Sequence, residues 1–255
     1  MIEVQDLKKQ FKLSRQQKRE LGSGFSNNQI DAVAGINFIC EPGKVFSLLG
    51  PNGAGKTTTL RMIATMLKPT SGKIKVAGYD VVQQSQEVRR RLGFLTGTTK
   101  LYDRLTANEL VTYYANLHKM DAELLKKRRD EIFDRLGMHS FASQRIAKLS
   151  SGMKQKVSIA RTIIHDPEIV VFDEPTAGLD VITARSIIQL IRDMRDQGKT
   201  VIFSTHIMGE VSLLSDDLAI IHKGTLRYNG RYADFVKQMQ SKSLEDEFVR
   251  LTEEE

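Results

Sequence analysis

Cysteine is almost absent: Cys40 is the single one among 255 residues. An internal disulfide is therefore excluded, and a reducing compartment such as the cytosol is expected. No stretch approaches the ~20 consecutive apolar residues that a membrane-spanning helix needs. The opening Met1-Ile2-Glu3-Val4-Gln5-Asp6 lacks the basic-then-apolar layout of a secretory signal, and none is expected. No segment repeats at a spacing of about 20–50 residues, which excludes solenoids and propellers. Long blocks of like charge are missing too. Lys126-Lys127-Arg128-Arg129 runs straight into Asp130-Glu131 and reads as a solvated helix face rather than a polyanion patch. The acidic end Glu253-Glu254-Glu255 reads as frayed. What remains is ordinary for a globular protein, with 40% hydrophobic and 27% charged residues. The chain is long enough to bury a core without disulfides or a structural metal. A net charge of +7 is compatible with nucleic acid, anionic lipid or nucleotides, and selects none of them.

Short apolar runs alternate with helix-like segments. Strands are predicted over Ile2–Phe11, Ala32–Cys40, Val45–Leu49, Ile74–Ala77, Ile169–Phe172, Val201–Phe203 and Leu218–Ile221. Helices are predicted over Lys56–Met66, Glu123–Leu136, Gly152–Ile164 and Ile182–Met194. Thr106-Ala107-Asn108-Glu109 has the spacing of a capping box, with Leu110, Val111, Tyr114 and Leu117 as the apolar stripe behind it. Ser14–Gln29 is polar and glycine-containing, and reads as an exposed loop or short helix. The alternation predicts an α/β fold with a mostly parallel sheet. The stretch from about 97 to 165 holds helices only, so it reads as a helical insertion between two parts of one sheet.

Chemistry concentrates in two places. Gly50-Pro51-Asn52-Gly53-Ala54-Gly55-Lys56-Thr57 fits the pattern G-x-x-x-x-G-K-[ST], after an apolar strand and before a helix. Its glycines let successive N–H groups of Asn52, Gly53, Ala54, Gly55, Lys56, Thr57 and Thr58 turn toward phosphate oxygens, and the helix N-terminus adds positive dipole. Lys56 supplies a point charge to the β- and γ-phosphates, and the Thr57 hydroxyl suits Mg²⁺. Ile169-Val170-Val171-Phe172-Asp173-Glu174 is a buried strand that delivers two carboxylates at its C-terminal end, where open α/β sheets bind ligands. Asp173 suits Mg²⁺ and Glu174 suits activation of an attacking water.

Leu149-Ser150-Ser151-Gly152-Met153-Lys154-Gln155 precedes that strand, Pro175-Thr176-Ala177-Gly178-Leu179-Asp180 follows it, and Ser204-Thr205-His206 ends the next strand. With these in order over nearly its whole length, the chain resembles the nucleotide-binding subunit of ATP-binding cassette (ABC) transporters. The resemblance implies a P-loop NTPase (RecA-like) core with a mostly parallel sheet, an antiparallel β edge and an inserted α-helical subdomain. It implies a division into 1–96 and 166–225 for the core, 97–165 for the helical part and 226–255 for a short C-terminal extension. It also implies an ATPase using ATP and Mg²⁺, working as a head-to-tail dimer with two ATP molecules sandwiched between copies. Leu149–Met153 then resembles the family's signature sequence, in which Ser150, Ser151 and Gly152 cap ATP held by the opposite subunit. Alone, Ser150 reads as a plain N-cap. His206 resembles the switch histidine that contacts γ-phosphate and holds water with Glu174. Asp180 resembles the residue coupling the two sites across the dimer, and is also a candidate N-cap for Ile182–Met194. Phe11 stands near the place of the adenine-stacking aromatic, with core packing as its other reading and Phe25 as a rival.

Three departures from the pattern stand out. Ser151 and Met153 replace the commoner Gly and Gln of the signature. Gly97 falls where the family has a Gln that reaches Mg²⁺ and water, so a hydroxyl of Thr96, Thr98 or Thr99, or a water, is expected to take its place. The phosphate-loop surroundings Thr57–Ala64, with Gly93–Thr96 and Leu101–Thr106, are most similar to sodium-efflux (NatA-type) ATPases of the ABC-2 export class. Lys223–Gly230 and Ser243–Leu251 are similar to the C-terminal extension of bacterial export-type subunits. The expected activity is ATP hydrolysis that powers a separate integral-membrane permease, from the cytoplasmic face of the membrane, exporting Na⁺ or a drug. The alternatives are a soluble ABC ATPase acting on nucleic acid or ribosomes, and a P-loop ATPase of another type. Neither the two cassettes nor the coiled-coil insertion of the soluble class is present, so no nucleic-acid partner is expected.

Overall fold

The structure, a computed structural model, describes residues 1–13, 29–97 and 100–253. The polar segment from Ser14, with Phe25, and also Thr98, Thr99 and the last two glutamates lie outside the described residues. Strands β1 (Ile2–Lys12), β2 (Gln29–Cys40), β3 (Val45–Leu49), β4 (Ser71–Val76) and β5 (Tyr79–Asp80) come first. Then follow β6 (Leu92–Leu95), β7 (Ile169–Asp173), β8 (Thr200–Thr205), β9 (Asp217–His222) and β10 (Thr225–Arg231). The helices are α1 (Lys56–Ile63), α2 (Ser85–Arg91), α3 (Ala107–Leu117), α4 (Ala122–Leu136), α5 (Ser151–Ile163), α6 (Val181–Asp196), α7 (Met208–Leu214), α8 (Tyr232–Gln238) and α9 (Leu244–Glu253).

Two sheets result. A six-stranded sheet runs β10-β9-β3-β8-β7-β6, parallel from β9 to β6, with β10 antiparallel at its edge. Its central strands are covered on both faces, so β3 and β7 are buried at every residue and read as continuous apolar runs. Alternation still sorts the faces. In β7, Val170 and Phe172 join a core with Leu110, Phe133, Ile159 and Ile187 from the helices, while Ile169 and Val171 join the opposite core with Leu60 and Met62. That second core is closed by the other sheet, the antiparallel β2-β1-β4-β5, through Ile2, Val4, Ile36 and Phe38. A third cluster, with Leu218, Ile220, Phe235 and Leu244, fastens α8 and α9 to the far edge. Helices α3, α4 and α5 all lie in the chain between β6 and β7, which are neighbours in the sheet.

Several boundaries differ from the sequence reading. The helix from Lys56 stops at Ile63, not Met66, because Thr65 takes a left-handed φ of 61° and Met66 turns out to solvent. Strand β2 begins at Gln29, three residues early. Neither α2 nor β6 was legible as an element. Gly93 in β6 lies under the end of α5, where a Cβ would stand 2.6 Å from the Thr162 carbonyl oxygen. The capping box is formed: Thr106 Oγ1 accepts from Glu109 N–H at 3.2 Å, and Thr106 N–H donates to the Glu109 carboxylate at 2.8 Å. Leu110 and Val111 are buried behind it, whereas Leu117 is exposed. Residues 97–165 are not helix alone, since Thr106 and Arg145 form an isolated antiparallel bridge. Lys126 and Lys127 are solvated as expected, while Arg128 pairs with Asp166 at 2.7 Å. Among the described residues, no helix is long and apolar enough to cross a membrane.

Candidate nucleotide site

The loop between β3 and α1 curls because two glycines take backbone angles that a side chain would oppose. Gly53 has φ 81° and Gly55 φ 109°. At Gly55 a Cβ would also stand 2.4 Å from the Ala32 carbonyl oxygen. The loop borders a cleft of ≈ 130 Å³ lined by Ala32, residues 51–58 and Glu174. Asn52, Gly53, Ala54, Gly55, Lys56, Thr57 and Thr58 are thus brought together as the sequence predicts.

Lys56 is 4% exposed, and its ammonium donates to the carbonyls of Gly50 at 2.6 Å and Pro51 at 3.1 Å. Burial pulls its pKa below the usual lysine range, against the upward pull of Glu174, whose carboxylate lies 3.5 Å away. Residues 116 positions apart meet where Thr57 donates its hydroxyl to Asp173 Oδ1 at 3.0 Å. Ser204 donates to that same oxygen at 2.7 Å and accepts from the Glu174 N–H at 3.1 Å. Glu174 has φ 49°, in the left-handed region. For a residue with a side chain that costs roughly 1–2 kcal/mol, and such strain concentrates at functional sites. On its other side the Glu174 Oε1 lies 3.2 Å from His206 Nδ1.

The remaining candidates sit elsewhere. Ser150 and Ser151 are exposed at the start of α5, where Ser150 Oγ accepts from Met153 N–H at 3.3 Å as an N-cap. Gly152 is buried, and a Cβ there would be 3.2 Å from Thr183 Oγ1 and 3.6 Å from Asp180 Oδ2. Asp180 caps α6, accepting from Thr183 N–H at 2.9 Å and the Thr183 hydroxyl at 2.8 Å. These hydrogen bonds hold its carboxyl below the usual carboxylate range. Among the described residues, none of Phe11, Ser150, Ser151, Gly152, Asp180 and His206 lines the phosphate cleft. Phe11 is 40% exposed near the end of β1, opposite Ile30, with the Lys9 ammonium 5.2 Å over its ring, so it is not a core residue. Gly97 is exposed, with nothing within 4 Å of the place a Cβ would take, and Thr96 is buried.

Ser204 and Ala32 had no role in the sequence reading. The signal for Ser204 was its place beside Asp173 at the C-terminal edge of a buried strand, and the cross-strand pairing of Asp173 with Ser204 makes that adjacency real. Ala32 carried no signal, because its contribution is a backbone wall.

Residues 33–177 match the family model described as "ABC transporter". The chain is 42% identical over 216 residues to the ABC transporter ATP-binding protein NatA of Bacillus subtilis (strain 168), covering 84% of this chain and 88% of that one. It is 34% identical to the bacitracin transport ATP-binding protein BcrA of Bacillus licheniformis, over 84% of this chain and 72% of the relative. A solved ATP-binding subunit of an ABC transporter superposes with a TM-score of 0.84 at 26% identity, over 98% of this chain and 99% of that one. A dimeric post-hydrolysis cassette, MJ0796 bound to ADP and Pi, superposes with a TM-score of 0.78 at 26% identity, covering 91% and 98% of the two chains.

Proposed function

Since this chain belongs to the ABC transporter family, as an ATP-binding and ATP-hydrolysing subunit, we propose that it powers export through a separate membrane permease. The reading of the site is carried by one observation: Glu174 Oε1 lies between Lys56 Nζ, at 3.5 Å, and His206 Nδ1, at 3.2 Å, beside the phosphate loop. Lys56 and the loop N–H groups bind the β- and γ-phosphates. Glu174, with His206, orients water for in-line attack and takes its proton. The hydroxyl of Thr57 and the carboxylate of Asp173 are adjacent hard oxygen donors, a pairing suited to Mg²⁺ that keeps water and phosphate as its other ligands. Bound there, Mg²⁺ would neutralise phosphate charge. Among the described residues no group of three or more His, Cys, Asp or Glu could hold a metal by itself, which fits a metal shared with the nucleotide.

The signature residues Ser150, Ser151 and Gly152, with Asp180, act on the nucleotide of a second copy, in a head-to-tail dimer. Supporting this are the lining of the chain's own phosphate cleft, which among the described residues includes none of them, and the apolar Val181 and Ile182 beside Asp180, 76% and 82% exposed. Phe11 stacks on adenine from the exposed end of β1. The core comprises 1–96 and 166–225, the helical part 97–165 and the C-terminal extension 226–255. The exported substrate is a small ion such as Na⁺ or a drug, and the chain works at the cytoplasmic face of the membrane.

The tagged chain, purified from gently solubilised membranes of its host with ATP, tests the partner. Co-purification of a multi-span permease is the expected result. Ribosomal protein or nucleic acid without a permease would overturn the transport reading.

A further inference from the structure

A buried glutamate, Glu210, is tied to the segments that carry Glu174 and His206, and the hydrolysis reading leaves it unused. Glu210, in the first turn of α7, is 6% exposed. One of its carboxylate oxygens accepts from the Thr176 hydroxyl, in the loop that runs from Glu174 to Asp180. The other accepts from the Thr205 hydroxyl at 2.6 Å, on the residue before His206. Thr205 Oγ1 in turn accepts from the Ile207 N–H at 3.0 Å. Thr176 and Thr205 are 5% and 2% exposed, so the whole bridge is buried. Burying a carboxylate is costly unless donors meet it, and an apolar side chain would fill the same space without that cost. One donor belongs to the loop that follows Glu174 and the other to the end of β8, directly before His206.

We propose that Glu210 is a positioning residue for hydrolysis. It ties the turn bearing His206 to the loop that begins at Glu174, and so holds the imidazole against that carboxylate. The proposal rests on the reading that Glu174 and His206 act in hydrolysis. Misplacing a reacting group by about 1 Å can cost about a hundredfold in rate, so a tie of this kind acts on kcat rather than on ATP affinity.

The test measures ATP turnover by the purified chain, with thermal melting as a check on folding. Glu210→Ala is expected to lower kcat about tenfold or more while KM for ATP stays within about threefold. Glu210→Gln keeps one acceptor oxygen and should recover part of the rate. Thr176→Val removes one donor at nearly constant volume, and serves if Glu210→Ala melts early. The decisive arm is a double-mutant cycle: in a His206→Ala background, neither Glu210→Ala nor Thr176→Val should slow turnover further. Losses that add in full, or a folded Glu210→Ala with unchanged kcat beside a slow His206→Ala, overturn the proposal alone. Unchanged turnover in His206→Ala removes the histidine from the site, and both readings fall together.

Discussion

The phosphate cleft and the signature edge are built on opposite plans. Around Asp173 and Glu174 the polar groups bond to one another: Lys56 and Thr57 from the start of α1, Ser204 from the end of β8 and His206 just after it all converge there. At the signature edge, among the described residues, the side chains of Ser150 and Asp180 bond only to the first turns of their own helices, and Ser151, Val181 and Ile182 are exposed. The first arrangement is complete within one chain. The second is an exposed edge, which the proposed site shared between two copies requires of the copy that closes it.

The largest expected effects strike the complete half. Lys56→Ala should abolish measurable ATP binding or turnover. Glu174→Gln should cut turnover by about a hundredfold or more while retaining ATP and the dimer, as judged by nucleotide binding and size-exclusion chromatography. Normal turnover by Glu174→Gln would remove it from the mechanism.

Next is the test that could break the comparison. Gly152→Asp puts an acidic side chain against Asp180 and Thr183, and should silence turnover without loss of ATP binding by the monomer. Mixed in equal amounts, inactive Lys56→Ala and inactive Gly152→Asp chains should recover about a quarter of the normal rate. Half of the dimers are then mixed, and each of those has one intact composite site. Without recovery, the signature edge does not act across a dimer.

Stability should be limited by neither region in acid. His165 follows α5 and stacks on His118 with ring centres 3.7 Å apart. Burial, then the neighbouring imidazole, pushes His165 from 6.5 down to about 4. The unfolded chain therefore binds more protons between those values. The contribution of His165 to stability is then fully present above pH 6.5 and is lost as the pH drops toward 4, by on the order of 3 kcal/mol. Denaturant titrations at pH 7 and pH 4.5 should show the fall, and His165→Gln should shrink it.

Asp180→Ala removes a cap and should cost about 1 kcal/mol of stability, read as a lower melting temperature. The smallest effect is at Gly97, where open space surrounds the missing Cβ. Gly97→Gln should leave stability within about 0.5 kcal/mol.

Much of the site was legible because its chemistry is carried by contiguous residues. Gly50–Thr57 announces itself, since a loop that wraps a phosphate must spend consecutive N–H groups and glycines on it. Asp173-Glu174 was readable from the apolar run before it. The buried strands β3 and β7 were recognisable for the same reason, each being a short uniform apolar run between turns. The edge strand β6 was not, because Leu92-Gly93-Phe94-Leu95 is brief and its glycine answers to α5 rather than to the strand. Glu210 escaped notice since its partners, Thr176 and Thr205, lie 34 and 5 residues away and belong to no shared pattern.

By itself, then, the amino-acid order determined the α/β class, the phosphate loop, the acidic strand end and the capping box at Thr106, all of which depend on neighbours within a few residues. The tertiary structure alone decided that Ser204 shares an oxygen of Asp173 with Thr57, that Glu174 faces both Lys56 and His206, and that Gly152 and Asp180 stand together at an outer edge. The first two relations arise from the order in which β3, β8 and β7 lie side by side. Parallel pairing aligns the C-terminal ends of strands that are distant in the chain, and no local spacing encodes which ends will meet.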